Sequence, residues 1–188
     1  MIETDRVRLR HWENRDREPF ARLNADVRVM EFMPATLSRA ESDTLVDRIV
    51  RHFQVHGFGL YAAELRDSCA FIGYVGLAVP TFEAHFTPCV EIGWRLSPDC
   101  WNQGLATEAA NAVVRHAFED LGLSALVSFT VPANVRSRRV MEKIGMTHEP
   151  AGDFDHPNLP VGHPLRRHVL YRLRRETKMQ FSAPAGSP

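Results

Sequence analysis

The chain has 188 residues, a length typical of one domain, and its 23 Lys and Arg residues balance its 23 Asp and Glu residues. This zero net charge argues against capture of nucleic acid or of an anionic membrane, because both need a concentrated basic face. No stretch reaches the roughly 20 apolar residues of a membrane span, and the first residues lack a signal-peptide pattern. We therefore expect a cytoplasmic protein.

The three cysteines, Cys69, Cys89 and Cys100, have no CxxC spacing, and the nine histidines are scattered without a paired-ligand pattern. We expect reduced, mostly buried thiols and no metal site. A nucleophilic cysteine has no local signature in its favour.

Alternating apolar residues predict a first strand at 6–12, and Asn14 or Asp16 offers an N-cap for a short helix through about Ala25. The next helix begins with a capping box, in which a serine and a glutamate each satisfy an amide of the first turn, and it ends at a glycine. The residues concerned are Ser38, Glu41 and Gly57. Its expected apolar stripe comprises Leu45, Ile49, Val50 and Phe53.

Strand-like segments separated by turn residues then follow at 59–65, 70–77 and 89–96. The period becomes helical over 103–121, and Gly122 is the expected stop. The remaining predicted elements are a strand at 125–131, a helix at 134–144 ended by Gly145, and a strand at 167–173.

With one further strand near the C-terminus, the predicted order is β-α-α-β-β-β-α-β-α-β-β. It predicts an α/β fold with a mixed sheet and helices on both faces. We assign residues 1–175 to this single domain. The composition changes after Glu176 to Lys, Gln, Ser, Ala, Pro and Gly, so 176–188 is predicted to be a flexible tail.

The sequence WNQGLA at residues 101–106 follows the strand at 89–96 and opens the helix at 103–121. Gly104 and Ala106 stand where the first helical amides lack partners, so small side chains there let an anion approach the backbone. A packing turn explains the same residues equally well when they are considered alone.

A second cluster lies in the helix at 134–144. Asn134 is by default an N-cap, and Ser137 lies one turn further on the same side. Arg138, Arg139 and Lys143 supply positive charge, either for a ligand or simply to solvate the helix.

The string WNQGLATEA at 101–109 resembles the pyrophosphate-binding motif of the GNAT acetyltransferases, Q/R-x-x-G-x-G/A. The wider string resembles the branch that contains the ribosomal-protein N-terminal acetyltransferases. The resemblance covers residue 4 to about residue 173. It includes Thr4 to Arg10, Ile72-Gly73, Val90 to Trp94 and Val169 to Tyr171.

This resemblance implies the GNAT fold, in which two central strands splay apart and acetyl-CoA lies in the cleft as co-substrate. The pantetheine arm would pair with the strand near residue 95, and the diphosphate would bind the amides at the helix start. The implied cofactor-binding residues are Trp94, Arg95, Leu96, Asn102, Gln103, Gly104, Leu105, Ala106, Thr107, Asn134, Ser137 and Arg139.

Two positions depart from the family pattern. Trp101 stands where the motif has Gln or Arg, which removes one side-chain phosphate ligand; the tryptophan itself is either part of the site or a packing residue. Met141 stands where many members have the tyrosine that protonates the leaving thiolate. Ser137 is the alternative catalytic acid, and otherwise the thiolate leaves unaided.

Glu91 is the candidate catalytic base, because it lies in the apolar run Val90 to Gly93 of the strand that would meet the thioester. A carboxylate paired with a nearby arginine is the equal alternative. Glu91 could act directly or through a water.

The expected partner is an amine acceptor, with determinants at 24–53, 80–88 and 153–168. At pH 7 an N-terminal α-amine is roughly 10% neutral and a lysine only a few parts in ten thousand, which favours a protein or peptide N-terminus. A small amine (polyamine, aminoglycoside-like or amino-acid derivative) and a non-catalytic acyl-CoA-binding module are the alternatives. A homodimer is an expectation by family analogy alone.

Overall fold

The computed structural model describes residues 1–175, so the predicted tail at 176–188 lies outside the described residues. Within residues 1–175 the chain forms nine strands in a mixed sheet and four α-helices. The strands are β1 (Ile2–Glu3), β2 (Val7–Arg10), β3 (Leu60–Leu65), β4 (Phe71–Ala78), β5 (Glu91–Leu96), β6 (Ala125–Thr130), β7 (Thr147–His148), β8 (Phe154–Asp155) and β9 (Arg167–Arg174). The helices are α1 (Arg17–Ala25), α2 (Arg39–His56), α3 (Leu105–Arg115) and α4 (Val135–Lys143).

The strands are ordered β1-β2-β3-β4-β5-β6-β9-β7. The short strand β8 lies outside this order and pairs with the first residues of β9. Neighbouring strands are antiparallel except β5 and β6, which run parallel. These two strands form a single registered pair, Glu91 with Val127, and the predicted splay of the central strands is therefore present. The predicted fold class is confirmed, although the two-residue strands β1, β7 and β8 were not individually predicted.

Each face of the sheet carries its own helices. The larger core cluster lies under α3 and α4, where Leu105, Ala109 and Met141 pack against strand residues such as Val75 and Ile92. A second cluster lies on the opposite face, where Phe20, Leu23 and Val46 of α1 and α2 pack around Phe71 and Tyr74 of β4.

The predicted signals at the helix ends of α2, α3 and α4 are largely confirmed. The Ser38–Glu41 capping box is formed, and Gly57 has the left-handed φ of 76° that ends α2. Gly122 and Gly145 also have positive φ. The last part of the predicted helix at 103–121 differs, because α3 ends at Arg115 and continues as a π-helical turn through Asp120.

Two expectations about the early helices are confirmed only in part. Asp16 occupies the N-cap position of α1, but neither Asn14 nor Asp16 caps the helix with its side chain, since the Asp16 carboxylate is bound by Arg10 and by the Glu13 amide. In α2, Ile49 is buried and Leu45 and Phe53 pack against the core, as predicted, whereas Val50 is 37% exposed.

The expectation of mostly buried thiols holds for Cys100 only. Cys89 is half-buried and Cys69 is exposed, with a φ of 55° in the turn between β3 and β4. All three are free cysteines.

A buried ionic network ties β2 to α1 and β3. Arg10 forms a bidentate pair with Asp16, at 2.7 and 2.8 Å, and donates from Nε to Glu64 at 2.8 Å. Burial opposes ionisation of Glu64, but hydrogen bonds from Arg10 and Arg8 outweigh it and hold the pKa of that carboxyl below its usual value. All three members of the network are more than nine-tenths buried.

We expect Asp16→Ala to lower the free energy of unfolding by about 3–5 kcal/mol, because it leaves the buried Arg10 guanidinium half paired. Urea denaturation at pH 7 measures this. Glu18→Ala is the matched control, since it removes a carboxylate that pairs with Arg22 and Arg39 on the surface, and it should cost about 1 kcal/mol or less. Equal effects of the two substitutions would contradict a stabilising role for the network.

Candidate active site

The strands β5 and β6 separate immediately after their one registered pair. The Val127 amide donates to the Val90 carbonyl at 2.9 Å, and beyond that point the two strands diverge. The far edges of both strands are occupied, β5 by β4 and β6 by β9. The inner edge of β5 therefore presents backbone groups to a wedge-shaped opening, the β5–β6 gap, with Glu91 at its closed end.

The segment between β5 and α3 forms a turn of free amides. Across residues 1–175, no hydrogen-bond acceptor is paired with the backbone N–H groups of residues 102–107, and the first bonded amide of α3 is that of Glu108, to Gly104. Asn102 and Gly104 have left-handed φ values of 59° and 80°. Successive amides in such a conformation form an anion-binding concavity, and the positive end of the helix dipole adds to it. We call residues 102–107 the amide turn.

The amide turn is fixed from outside by the first residues of the chain. The Glu108 carboxylate accepts from the Thr4 hydroxyl at 2.6 Å and from the Arg6 amide at 2.8 Å. Arg6 also donates to the Gln103 carbonyl at 2.9 Å. Burial opposes ionisation of Glu108, but hydrogen bonds from Thr4 and Arg6 hold the pKa of its carboxyl below its usual value. The contact between Glu108 and Arg6 therefore remains an ion pair. Two of the sequence stretches that carried the family resemblance, 4–10 and 101–109, are thus in contact.

A cavity of about 310 Å³ joins the amide turn to β5 and α4. The predicted cofactor-binding residues that line it are Trp94, Arg95, Leu96, Asn102, Gly104, Leu105, Ala106, Thr107, Asn134, Ser137 and Arg139. Gln103 does not line it, because its side chain turns away to the Asp99 carbonyl. Glu91 does not line it either, since it lies deeper, at the closed end of the β5–β6 gap.

Of the remaining lining residues, the sequence left Trp101 and Lys143 open as part of the site and did not assign the others to it. The full set is Arg28, Val29, Phe32, Met33, Cys100, Trp101, Arg136, Val140 and Lys143. The first four come from the connection between α1 and α2, which carries no motif. Only the predicted role of region 24–53 in substrate binding pointed to that connection.

The helix α4 carries both expected polar residues on the cavity side. The Asn134 side chain accepts from the Ser137 amide at 3.2 Å, so the predicted N-cap is present, and it donates to the Thr130 hydroxyl at 3.0 Å. Arg138 is neither a ligand candidate nor free, because it donates to the Tyr171 hydroxyl and the Pro132 carbonyl.

The two residues that depart from the family motif have packing roles. The Trp101 indole donates to the Leu96 carbonyl at 2.9 Å, which closes the turn after β5, while its ring lines the cavity. Met141 is 1% exposed and belongs to the core. Met141 therefore does not line the cavity and offers it no proton donor.

Glu91 has an unusual electrostatic environment. Burial raises the pKa of its carboxyl to about 8. Within residues 1–175 it forms no ion pair, so the alternative of a carboxylate held by an arginine is wrong for the described chain. Its Oε1 atom lies 3.8 Å from where a Cβ on Gly93 would stand, and that missing side chain leaves space beside the carboxyl.

Cys89 lies close to Glu91 but is a poor nucleophile. Burial and the neighbouring Glu91 raise the pKa of the Cys89 thiol to about 11, so almost none is thiolate at neutral pH.

The sheet face that carries Glu91 continues into an aromatic cluster. Val127, registered with Glu91, belongs to a cluster with Phe86, Phe154 and Phe129. The ring centroids of His156 and His168 lie 5.2 Å apart beside these phenylalanines, and burial lowers the pKa of both imidazoles. The carboxylates of the predicted acceptor-binding stretch 153–168 have partners within the protein. Asp153 binds His148 and the Leu170 amide, and Asp155 pairs with Arg166 and Arg167.

In the part of the chain that the structure describes, no three His, Cys, Asp or Glu residues are grouped to hold a metal ion. No helix of residues 1–175 is both long and apolar enough to cross a membrane. The cytoplasmic location and the homodimer stay predictions.

A model of the acetyltransferase (GNAT) domain matches residues 6–147. The FsC-acetyl coenzyme A-N(2)-transacetylase of Aspergillus fumigatus is 36% identical over 135 residues, which make up 70% of this chain but only 56% of that relative.

Solved structures confirm the fold. An acetyltransferase of the GNAT family from Bacillus anthracis is 26% identical and superposes with a TM-score of 0.76, covering 92% of this chain and 97% of its own. A ribosomal L7/L12 alpha-N-protein acetyltransferase, solved in complex with coenzyme A, has a TM-score of 0.72, covering 91% of this chain and 95% of its own. At 15% identity it shares the fold alone. By these matches the chain belongs to the GNAT acetyltransferase family and is an N-acetyltransferase with acetyl-CoA as co-substrate.

Proposed function

We propose that the protein acetylates a primary amine by direct attack of the amine on acetyl-CoA in a ternary complex, with a protein or peptide N-terminal α-amine as the acceptor. The observation that carries this proposal is the amide turn at 102–107, which opens into the same cavity as the free edge of β5.

The donor is held by backbone groups. The diphosphate takes the free N–H groups of the amide turn, where the α3 dipole also favours an anion. From there the pantetheine arm runs along the inner edge of β5 past Trp94, Arg95 and Leu96, pairing with it as an added strand would. This path brings the thioester towards the closed end of the β5–β6 gap, and a β5 amide polarises its carbonyl.

Glu91 removes the proton from the attacking amine, directly or through a water. Its pKa of about 8 is close to that of an α-amine, near 8, so proton transfer between the two is nearly balanced. A lysine side chain, at about 10.4, would be a worse match. This correspondence supports an α-amine over a lysine.

Ser137 protonates the leaving thiolate in this proposal. Its support is positional: it lines the cavity on α4, whereas Met141, at the family's tyrosine position, is buried in the core and has no proton to give.

A small amine is the second candidate acceptor. It is favoured by the relative from Aspergillus fumigatus, whose name specifies acetylation of N(2) of FsC and which is 36% identical to this chain. The protein N-terminal acetyltransferase of similar fold is 15% identical.

Acetyl-CoA at 100 times its dissociation constant should stabilise the protein by about 2.7 kcal/mol, measured as a shift of the thermal unfolding midpoint. Gly104→Ala should lose most of this shift, because a Cβ at φ 80° strains the amide turn. Gly162→Ala is the control, as Gly162 also has a positive φ, of 84°, but lies in the loop before β9. An equal ligand shift in both variants would contradict the assignment of the amide turn.

Glu91→Gln should reduce turnover by roughly 10²–10⁴ while acetyl-CoA affinity is retained, since Glu91 lies outside the cofactor cavity. The wild-type kcat/KM should rise with pH through about 8 as the carboxyl ionises.

The folding stability of the unliganded protein gives a readout of the Glu91 carboxyl that is independent of activity. A buried acid with a raised pKa loses folding stability as pH rises, so Glu91→Gln should stabilise the protein more at pH 8 than at pH 5. A pH-independent difference would mean that the carboxyl is not held protonated.

A screen for thiol release against peptides with free N-termini, polyamines and aminoglycosides should find turnover with the peptide pool. Exclusive turnover of a small amine would replace the proposed acceptor with the second candidate. Tight acetyl-CoA binding without turnover of any pool would favour a non-catalytic acyl-CoA-binding module.

A further inference from the structure

Arg136 of α4 lines the cavity and stacks on Trp101, the residue before the amide turn. Its Cζ atom is 4.4 Å from the centroid of the Trp101 ring. That ring is held in place by the indole N–H, which donates to the Leu96 carbonyl. A guanidinium stacked on an aromatic face keeps its N–H groups free to donate within its own plane. Arg136 is thus a positioned donor set beside residues 102–107.

One of these donors is occupied by Glu31, from the connection between α1 and α2. Nη2 of Arg136 lies 2.8 Å from the Glu31 carboxylate, and the two side chains are 50% and 52% exposed. Ion pairs between side chains as exposed as these contribute little to folding. A multiply charged anion arriving in the cavity can therefore replace Glu31 without loss of stability elsewhere.

The other cations around the cavity are Arg28, Arg95, Arg139 and Lys143, and they are less well placed for this role. Arg95 donates to the Asn24 side chain at 2.6 Å and lies over the Tyr74 ring. Arg28 is held by Asp26, which accepts from both its Nε and Nη2 atoms. Arg139 and Lys143 line the cavity from later turns of α4 and are not stacked on the residue that precedes the amide turn.

We propose that Arg136, held on the face of Trp101, is a phosphate-binding residue for the cofactor and reaches it by exchanging Glu31 for a phosphate group. It supplies from α4 the cationic side chain that the turn after β5 lacks, because Trp101 occupies the corresponding motif position. The inference rests on the proposed function, since it requires acetyl-CoA in the cavity.

Isothermal titration of acetyl-CoA and of S-acetylpantetheine, which has no diphosphate or nucleotide, tests the inference. Arg136→Ala should bind acetyl-CoA about tenfold to hundredfold more weakly, as expected for lost charge-assisted hydrogen bonds. Its affinity for S-acetylpantetheine should stay within twofold of wild type. Glu31→Gln should bind acetyl-CoA at least as tightly as wild type, because the competing carboxylate is gone.

Arg22→Ala is the matched control, since Arg22 also forms an exposed surface ion pair, with Glu18, and lies outside the cavity. It should leave both affinities unchanged. Three results would overturn the inference: unaltered acetyl-CoA binding by Arg136→Ala, equal losses for both ligands, or a loss in Glu31→Gln as large as in Arg136→Ala. Failure of the wild-type protein to bind acetyl-CoA would instead remove the proposed function, and this inference with it.

Discussion

The arrangement of the site depends on one constraint, which is that β5 and β6 are joined by a single registered pair and then diverge. Both strands are fully paired on their outer edges, so neither can rotate to close the opening. Backbone groups left unpaired inside a protein cost free energy unless water or a ligand satisfies them. The inner edge of β5 therefore offers backbone hydrogen-bonding groups to a ligand, and the amide turn at 102–107 continues this row of free groups beyond the strand.

The same divergence sets the chemistry of Glu91. At the closed end of the β5–β6 gap the carboxyl is partly buried, and this burial raises its pKa to about 8. Gly93, two residues along on the same face, adds no side chain that could pair with it. A buried carboxyl with no partner lowers stability as it ionises. Elsewhere in the described chain, buried carboxyls such as Asp16 and Glu64 are paired with Arg10.

Local signals in the sequence predicted the longer elements, whereas the phosphate role of the amide turn was predicted only together with the family resemblance. Contacts between distant elements were not predicted. The Ser38 capping box and the glycine stops depend on a few neighbouring residues. Asp16 failed as a cap because Arg10 of β2 takes its carboxylate, which no local pattern reveals. Arg136 was missed for the same reason, since its role depends on Trp101, 35 positions earlier in the chain.

The two departures from the family motif have a common structural consequence. Trp101 and Met141 both replace polar side chains with packing, and the groups proposed in their place, Arg136 and Ser137, are adjacent on α4. In these proposals the position of α4 relative to β5 determines both phosphate binding and thiolate protonation. That position is held on its far side by Tyr171 of β9, whose hydroxyl accepts from Arg138 and donates to Glu142. Since Tyr171 is 1% exposed, the sheet itself fixes the helix that carries both groups.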